Sequence, residues 1–104
     1  MSKLNQQQWI QKLKLEGFKD ITVFPFKPNK DFGEHTHDEH TVHVILKGEL
    51  IMKDKGSVKK FRQGDRIEFP AGTIHSTKCG PQGCTMIVGV KKSKSRAKST
   101  TARG

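Results

Sequence analysis

The chain has 104 residues, of which 32% are hydrophobic, and its 20 Lys and Arg residues against 10 Asp and Glu residues give a formal charge of +10. This length allows one domain with one modest core and excludes a second catalytic lobe. No stretch approaches the roughly 20 apolar residues of a transmembrane helix, and the polar start MSKLNQQQ lacks the charged-then-apolar layout of a signal peptide. We therefore expect a cytoplasmic protein without a membrane span.

The first segment, residues 1–19, predicts one short amphipathic α-helix that packs on the rest of the domain. Asn5 is the expected N-cap, and Gln8 three positions later completes a capping-box pattern. Gly17 is the expected stop. The hydrophobic side chains at helical spacing, which we interpret as a packing face, are Trp9, Ile10 and Leu13.

Residues 20–90 predict a β domain, because short runs rich in Val, Ile, Phe and Thr alternate with clusters of Gly, Pro, Asn and Asp. The expected strands are 21–26, 41–46, 49–53, 58–62, 66–69, 75–78 and 84–90. Turns are expected at Gly48 and at 54–57, 62–65 and 80–83. So many strands in so short a domain would leave exposed edges in a flat sheet, which favours a barrel or a two-sheet roll.

The last segment, residues 91–104, holds six Lys or Arg residues, no acidic residue and no hydrophobic residue larger than alanine. It cannot bury enough apolar surface to offset the entropy of ordering, so we predict a disordered basic tail. Such a tail can bind nucleic acid or another anionic surface weakly, although a solvated extension is the preferred interpretation.

Four of the five histidines lie between positions 35 and 43. Alternate residues of an extended segment point the same way, so His35 and His37 project from one face about 7 Å apart and can converge on one metal ion. A third nitrogen must come from another strand. His75, which follows the PAG turn at 70–72, is the remaining histidine.

Two segments, residues 33–48 and 64–75, resemble the two motifs of the cupin superfamily. The first motif of that family contains His-x-His, then usually Glu, then Gly, and the second reads Gly-x5-Pro-x-Gly-x2-His. The matching positions are His35, His37 and Gly48 in the first motif and Gly64, Pro70, Gly72 and His75 in the second. The resemblance implies an all-β, antiparallel jelly-roll barrel that holds one divalent metal ion between the motif histidines.

The chain departs from the first motif at the position of the usual glutamate, which is Thr41. Threonine is a poor ligand for a divalent cation compared with a carboxylate. His43 lies two positions further along the same strand and faces the same way, so we take it as the replacement fourth ligand beside His35, His37 and His75. Other candidates for the fourth ligand, less favoured than His43, are Glu39, His40 and a water molecule. His43 could instead contact the substrate.

Four neutral imidazoles suit Fe, Mn, Ni, Zn or Cu and leave the charge of the ion undiminished. Iron, manganese or copper would favour dioxygenase-like oxidation, whereas zinc or nickel would favour isomerisation or plain binding. No catalytic residue is assigned. The expected ligand is a small molecule with one chelating end in an apolar cavity, whose candidate wall residues are Phe24, Ile45, Phe61, Phe69, Ile74 and Met86.

Cys79 and Cys84 flank the predicted turn at 80–83, which places them opposite each other across a hairpin. In a reducing cytoplasm two free thiols are favoured over a disulfide. We also expect a homodimer that covers exposed strand edges.

Three functions are open. The first is a metal-dependent oxidoreductase, and the second is a non-catalytic ligand-binding or sensing module, or an isomerase. The third is a nucleic-acid-associated protein that acts through its basic tail.

Overall fold

The structure is a computed structural model that describes residues 4–36, 38–54 and 56–91, with the side chains of His35 and Asp54 left out. The elements are α1 (Gln6–Leu15), β1 (Lys19–Phe26), β2 (Asp31–Thr36), β3 (His40–Asp54), β4 (Ser57–Arg62), β5 (Arg66–Phe69) and β6 (Ile74–Lys91). Lys91 ends β6, and the rest of the predicted tail, 92–104, lies outside the described residues. None of the described helical residues forms a segment long and apolar enough to cross a membrane.

The predicted N-terminal helix is confirmed, together with its capping box. The backbone N–H of Gln8 donates to Asn5 Oδ1 at 2.8 Å, and the backbone N–H of Asn5 donates to Gln8 Oε1 at 2.9 Å. The chain leaves the helix at Gly17, whose φ of +98° is the left-handed conformation that favours glycine. Trp9 and Leu13 are buried, so the predicted packing face is the face that docks.

Two long strands, β3 and β6, each pass through both sheets of an antiparallel jelly roll. We call one sheet the helix sheet: it contains β1, the second half of β6, the first half of β3, and β5. The other, the open sheet, contains β2, the first half of β6, the second half of β3, and β4. This arrangement confirms the predicted all-β jelly-roll class.

The predicted turns at Gly48 and at 80–83 are wrong, because the chain bends there within continuous strands. Residues 41–46 and 49–53 are parts of one continuous strand, β3. The pairing of β3 with β6 shifts in register on either side of Gly48. A bulged strand turns a corner without ending, and composition does not distinguish that from a hairpin. Residues 31–36 form β2, which was not among the predicted strands.

The predicted placement of Cys79 and Cys84 across a hairpin is also wrong, because both lie on β6. Cys79 pairs with Leu50 and Cys84 pairs with Gly48 of β3. Both cysteines are free thiols and are buried. Burial, together with the neighbouring Cys79 thiol, raises the pKa of Cys84, so this thiol is poorly disposed to react.

The corner between the two sheets is a close approach of two backbones. Gly48 has a φ of +73°, and a Cβ added to it would collide with the carbonyl oxygen of Gly83. Gly83 has a φ of +80°, and its added Cβ would lie 2.6 Å from the carbonyl oxygen of Phe26. Both positions therefore require glycine for conformation and for space.

The hydrophobic core has two layers. The interior layer, between the sheets, contains Ile45, Leu50, Ile67, Phe69, Cys79, Cys84 and Met86. The second layer, between α1 and the outer face of the helix sheet, contains Trp9, Leu13, Phe18, Val42, Val44 and Ile87. Successive residues of β3 alternate between the two layers, as the period of two in a strand requires.

An ionic cluster fastens the end of α1 to β5. Arg66 donates to both carboxylate oxygens of Glu16, at 2.9 and 2.5 Å, and its Nε donates to Glu68 at 2.9 Å. The Arg66 hydrogen bond is the main cause that lowers the pKa of Glu16 from 4.5 to about 2. The guanidinium also lies 5.8 Å from the ring centroid of the buried Phe18, which joins the cluster to the second core layer.

Replacement of Gly48 by alanine tests the corner. We expect Gly48→Ala to lower the free energy of unfolding by at least about 3 kcal/mol, because it adds a backbone collision to the strain of a positive φ. Gly56→Ala is the matched control, since Gly56 has a φ of +84° and nothing within 4 Å of an added Cβ. Gly56→Ala should lower the free energy of unfolding by about 1 to 2 kcal/mol, which is the cost of placing alanine at a positive φ without a collision. Equal losses by urea denaturation would contradict a tight corner.

The pH dependence of stability tests the ionic cluster. Because the folded pKa of Glu16 lies below its ordinary value, its contribution is complete above pH 4.5 and is lost as the pH falls towards 2. Glu16→Gln should lower the free energy of unfolding by about 1 to 2 kcal/mol at pH 7 and change it little at pH 2. Glu34→Gln is the control, because Glu34 is exposed and has no ion pair in the described part of the chain. A constant difference across this range would contradict the assignment.

Candidate functional site

A cavity of about 170 Å³ lies between the two sheets and is lined mainly by rings. Its aromatic lining consists of Phe24, Phe26, Phe32 and Phe69, together with the imidazoles of His43 and His75. The other lining residues are Leu50, Thr77, Met86 and Val88. The described lining includes no acidic side chain, so the histidines and the Thr77 hydroxyl supply its polar side-chain atoms.

The two cavity histidines come from opposite sheets. His43 lies on β3 in the helix sheet, paired with Ile67 and Val88. His75 is the second residue of β6 in the open sheet and is only 5% exposed. The ring of Phe69 lies beside both imidazoles, with centroids 3.9 Å from His75 and 5.3 Å from His43, so it fixes where both rings can lie.

His43 and His75, two of the four predicted ligands, therefore line one cavity. The backbone of His35 pairs directly with that of His75 across β2 and β6, so His35 belongs to the same level of the open sheet. Its side chain and all of His37 lie outside the described residues. Within the described part of the chain, no group of three or more His, Cys, Asp or Glu side chains is placed to hold a metal ion. The four-histidine set stays a prediction.

His40, an alternative fourth ligand, is engaged elsewhere. Its Nε2 lies 2.7 Å from Glu68 Oε1, and its ring packs 5.9 Å from that of Phe18. Both contacts belong to the ionic cluster and the second core layer, and His40 does not line the cavity. Glu39, the other alternative, is half-buried just before β3 begins.

Thr41 occupies the motif position where a glutamate is usual, and it is uncharged and 4% exposed. It pairs with Phe69 of β5 and has the same strand parity as His43, so it faces the interior. Its hydroxyl has no hydrogen-bond partner among the described residues. The interior at this level thus contains a buried hydroxyl in place of a carboxylate.

The predicted cavity walls are partly correct. Phe24, Phe69 and Met86 line the cavity, whereas Ile45 and Phe61 belong to the interior core or pack against it. The prediction for Ile74 is wrong, because this side chain is 65% exposed.

Strand parity explains both the error and what was missed. Ile74 is adjacent to His75 and so points to the opposite face. The same parity could have identified Phe26, because it lies two residues after Phe24 on β1 and therefore points to the same face. Phe32 could not be found in this way, because β2 was not predicted as a strand.

The comparisons with known proteins agree on one fold. A family model described as the cupin domain matches residues 22–88. A cupin superfamily protein from Desulfitobacterium hafniense DCB-2 superimposes with a TM-score of 0.62 at 22% sequence identity, over 70% of this chain and 66% of that chain. An RmlC-like cupin from Shewanella frigidimarina NCIMB 400 gives 0.61 at 20% identity, over 75% and 69%.

The cupin domain of Cnp3 from Schizosaccharomyces pombe gives a TM-score of 0.64 at 11% identity, over 79% of this chain and 64% of that chain. The chain thus spans about two thirds of the length of these solved structures. At such identities the likeness shows a shared fold alone. No curated protein matches the chain.

Substitution of Thr41 by valine tests whether its hydroxyl is unpaired. Valine keeps the branched shape and removes a buried group that makes no hydrogen bond, so Thr41→Val should raise the free energy of unfolding by about 1 kcal/mol. Thr22→Val is the control, because the exposed Thr22 hydroxyl donates to the carbonyl of Asp20 at 3.2 Å, and it should give no gain. A loss of stability in Thr41→Val, measured by urea denaturation of metal-free protein, would show that the hydroxyl has a partner.

Proposed function

This chain belongs to the cupin superfamily, and on that premise we propose that its cavity binds a divalent transition metal and a small organic ligand. The observation that carries the proposal is the meeting of His43 and His75 in one cavity from two different sheets. The pairing of the His35 backbone with that of His75 supports it, because it brings the first histidine motif to the second. A structural histidine needs no such convergence.

The residues that would hold the metal are His35, His37, His43 and His75. Imidazole nitrogens suit Fe, Mn, Ni, Zn and Cu. When bound, such an ion supplies a Lewis acid that polarises an oxygen ligand. Because the interior offers Thr41 where the family usually has a glutamate, protein ligands would not reduce the charge of the ion, and an anionic or chelating oxygen would be favoured.

The rest of the cavity would bind and orient the ligand. Phe69 restrains both imidazoles by direct ring contact, which is the kind of support that keeps ligating rings in place. The other phenylalanines exclude water, and Phe24, which is 40% exposed, lies where the cavity meets solvent. The Thr77 hydroxyl can hydrogen-bond to a polar group of the ligand. We propose dioxygenase-like oxidation of a small chelating substrate as the reaction.

A second candidate is a non-catalytic ligand-binding or sensing module. One observation favours it: the described cavity residues include no carboxylate that could act as a general base. An isomerase needs a general base, and the described cavity lining offers imidazoles but no carboxylate for that role. Action through the basic tail depends on residues 92–104 and stays a prediction, as does the homodimer.

Metal content tests the proposed centre. We expect stoichiometric metal by plasma mass spectrometry in untagged wild-type protein. His75→Ala and His43→Ala should each lower metal affinity by at least about tenfold, since each removes a ligand. His40→Ala is the matched control and should retain the metal, because His40 pairs with Glu68.

Each other outcome changes the proposal in a defined way. If only His75→Ala loses the metal, His43 contacts the small organic molecule and does not coordinate the metal. Bound metal without oxygen uptake on a panel of small chelating substrates would favour the binding module. Wild-type protein that remains empty after metal-replete expression would contradict the metal centre.

A further inference from the structure

We infer that the ligand of this cavity is a molecule with a single aromatic ring that carries one oxygen-bearing substituent, such as a phenol or an aromatic acid. The ring would lie among Phe24, Phe26 and Phe32, and the oxygen would point towards His43 and His75. The ring end of this inference depends on the cavity alone. The oxygen end rests on the proposed metal function.

The size of the cavity limits the ligand to one ring. Its volume is about 170 Å³, and a closed apolar cavity of about 150 Å³ in a protein accommodates one benzene molecule. The remaining space suits one small substituent. With its oxygen at the histidine end, a fused two-ring ligand would have to displace Phe24 at the opening or other lining residues of the packed interior.

The lining favours an aromatic ring over an aliphatic one of the same size. Phe26 and Phe32 meet edge to face, with centroids 4.8 Å apart and planes at 88°, and Phe24 stacks on Phe26 at 5.8 Å. Aromatic pairs in these arrangements are worth about 0.5 to 1.5 kcal/mol beyond the burial of area. A ligand ring can join this array, whereas a saturated ring gains burial only.

Strand register gives the cavity a polar end and an apolar end. On the helix sheet, His43 pairs with Val88, Phe24 pairs with Met86, and Phe26 pairs with Cys84. The two phenylalanines therefore lie level with positions two and four residues before Val88 on β6, which is closer to the bend of β6 than the level of His43. Two residues of a strand span about 7 Å.

The open sheet shows the same order. His75 comes first, Thr77 lies two residues later, and Leu50 pairs with Cys79 two residues beyond that. Histidines thus stand at one end of the cavity and apolar side chains at the other. A ligand with a ring and one polar substituent has the matching polarity and a single favourable orientation.

Binding of matched pairs of probes tests the inference, with affinities taken from chemical-shift titrations. In metal-free protein we expect toluene to bind about tenfold more tightly than methylcyclohexane. In metal-loaded protein, benzoate should bind more tightly than cyclohexanecarboxylate by a similar factor. 2-Naphthoate should bind at least about tenfold more weakly than benzoate. Equal affinities within either ring pair, or tight binding of 2-naphthoate, would overturn the inference.

Two variants connect the preference to the phenylalanines. Phe26→Leu should reduce the preference for aromatic probes to about twofold, because it removes a ring from the array while it keeps the site apolar. Phe61→Leu is the matched control, since Phe61 packs against the interior core without lining the cavity, and it should leave the preference unchanged. A preference that survives Phe26→Leu would contradict the ring site.

The same titrations separate this inference from the proposed function. Toluene selectivity in protein that never acquires metal would leave the ring site intact and overturn the metal centre together with the oxygen end. Stoichiometric metal with no preference between benzoate and cyclohexanecarboxylate would overturn the ring site and leave the metal centre intact.

Discussion

The approach of the Gly48 and Gly83 backbones is the constraint on which the rest of the structure depends. Because neither residue carries a Cβ, β3 and β6 pack against each other while both bend from one sheet into the other. Each long strand therefore contributes to both walls of the interior. His43, before the bend of β3, and His75, before the bend of β6, consequently meet from opposite sheets. The cavity is a product of the corner and not of any single strand.

Charge is distributed according to the same geometry. Alternation along β3 directs Thr41 and His43 inward, while His40, three residues before His43, pairs with Glu68 outside the cavity. The Arg66 cluster likewise keeps its carboxylates between α1 and β5. Among the described residues, the cavity lining consists of two imidazoles, the Thr77 hydroxyl, aromatic rings and aliphatic side chains. The chemistry of the cavity therefore depends on what the histidines bind and on what the rings select.

The sequence predicts those features that depend on short-range patterns. The capping box of α1, the class of the fold and the inward placement of His43 all follow from spacing and parity, and the second histidine motif identifies His75. Features that depend on long-range contact were missed. Gly48 resembles a turn residue until the backbone of Gly83 is seen beside it, and β2 is held by its pairing with β6, since its own sequence has weak β propensity. The prediction that Ile74 lines the cavity was wrong because it relied on the apolar side chain. As the neighbour of His75 in a strand, Ile74 points to the opposite face.

The continuity of β6 also determines where the domain can change in length during evolution. His75, Thr77, Met86 and Val88 all lie on this one strand, so one residue inserted at its bend would rotate the lining on one side of the insertion to the opposite face. The tip of the β3–β4 hairpin is free of this restriction, because Gly56 has no atom within 4 Å of an added Cβ. Related domains are expected to gain or lose residues at that tip, while the spacing across the corner is preserved.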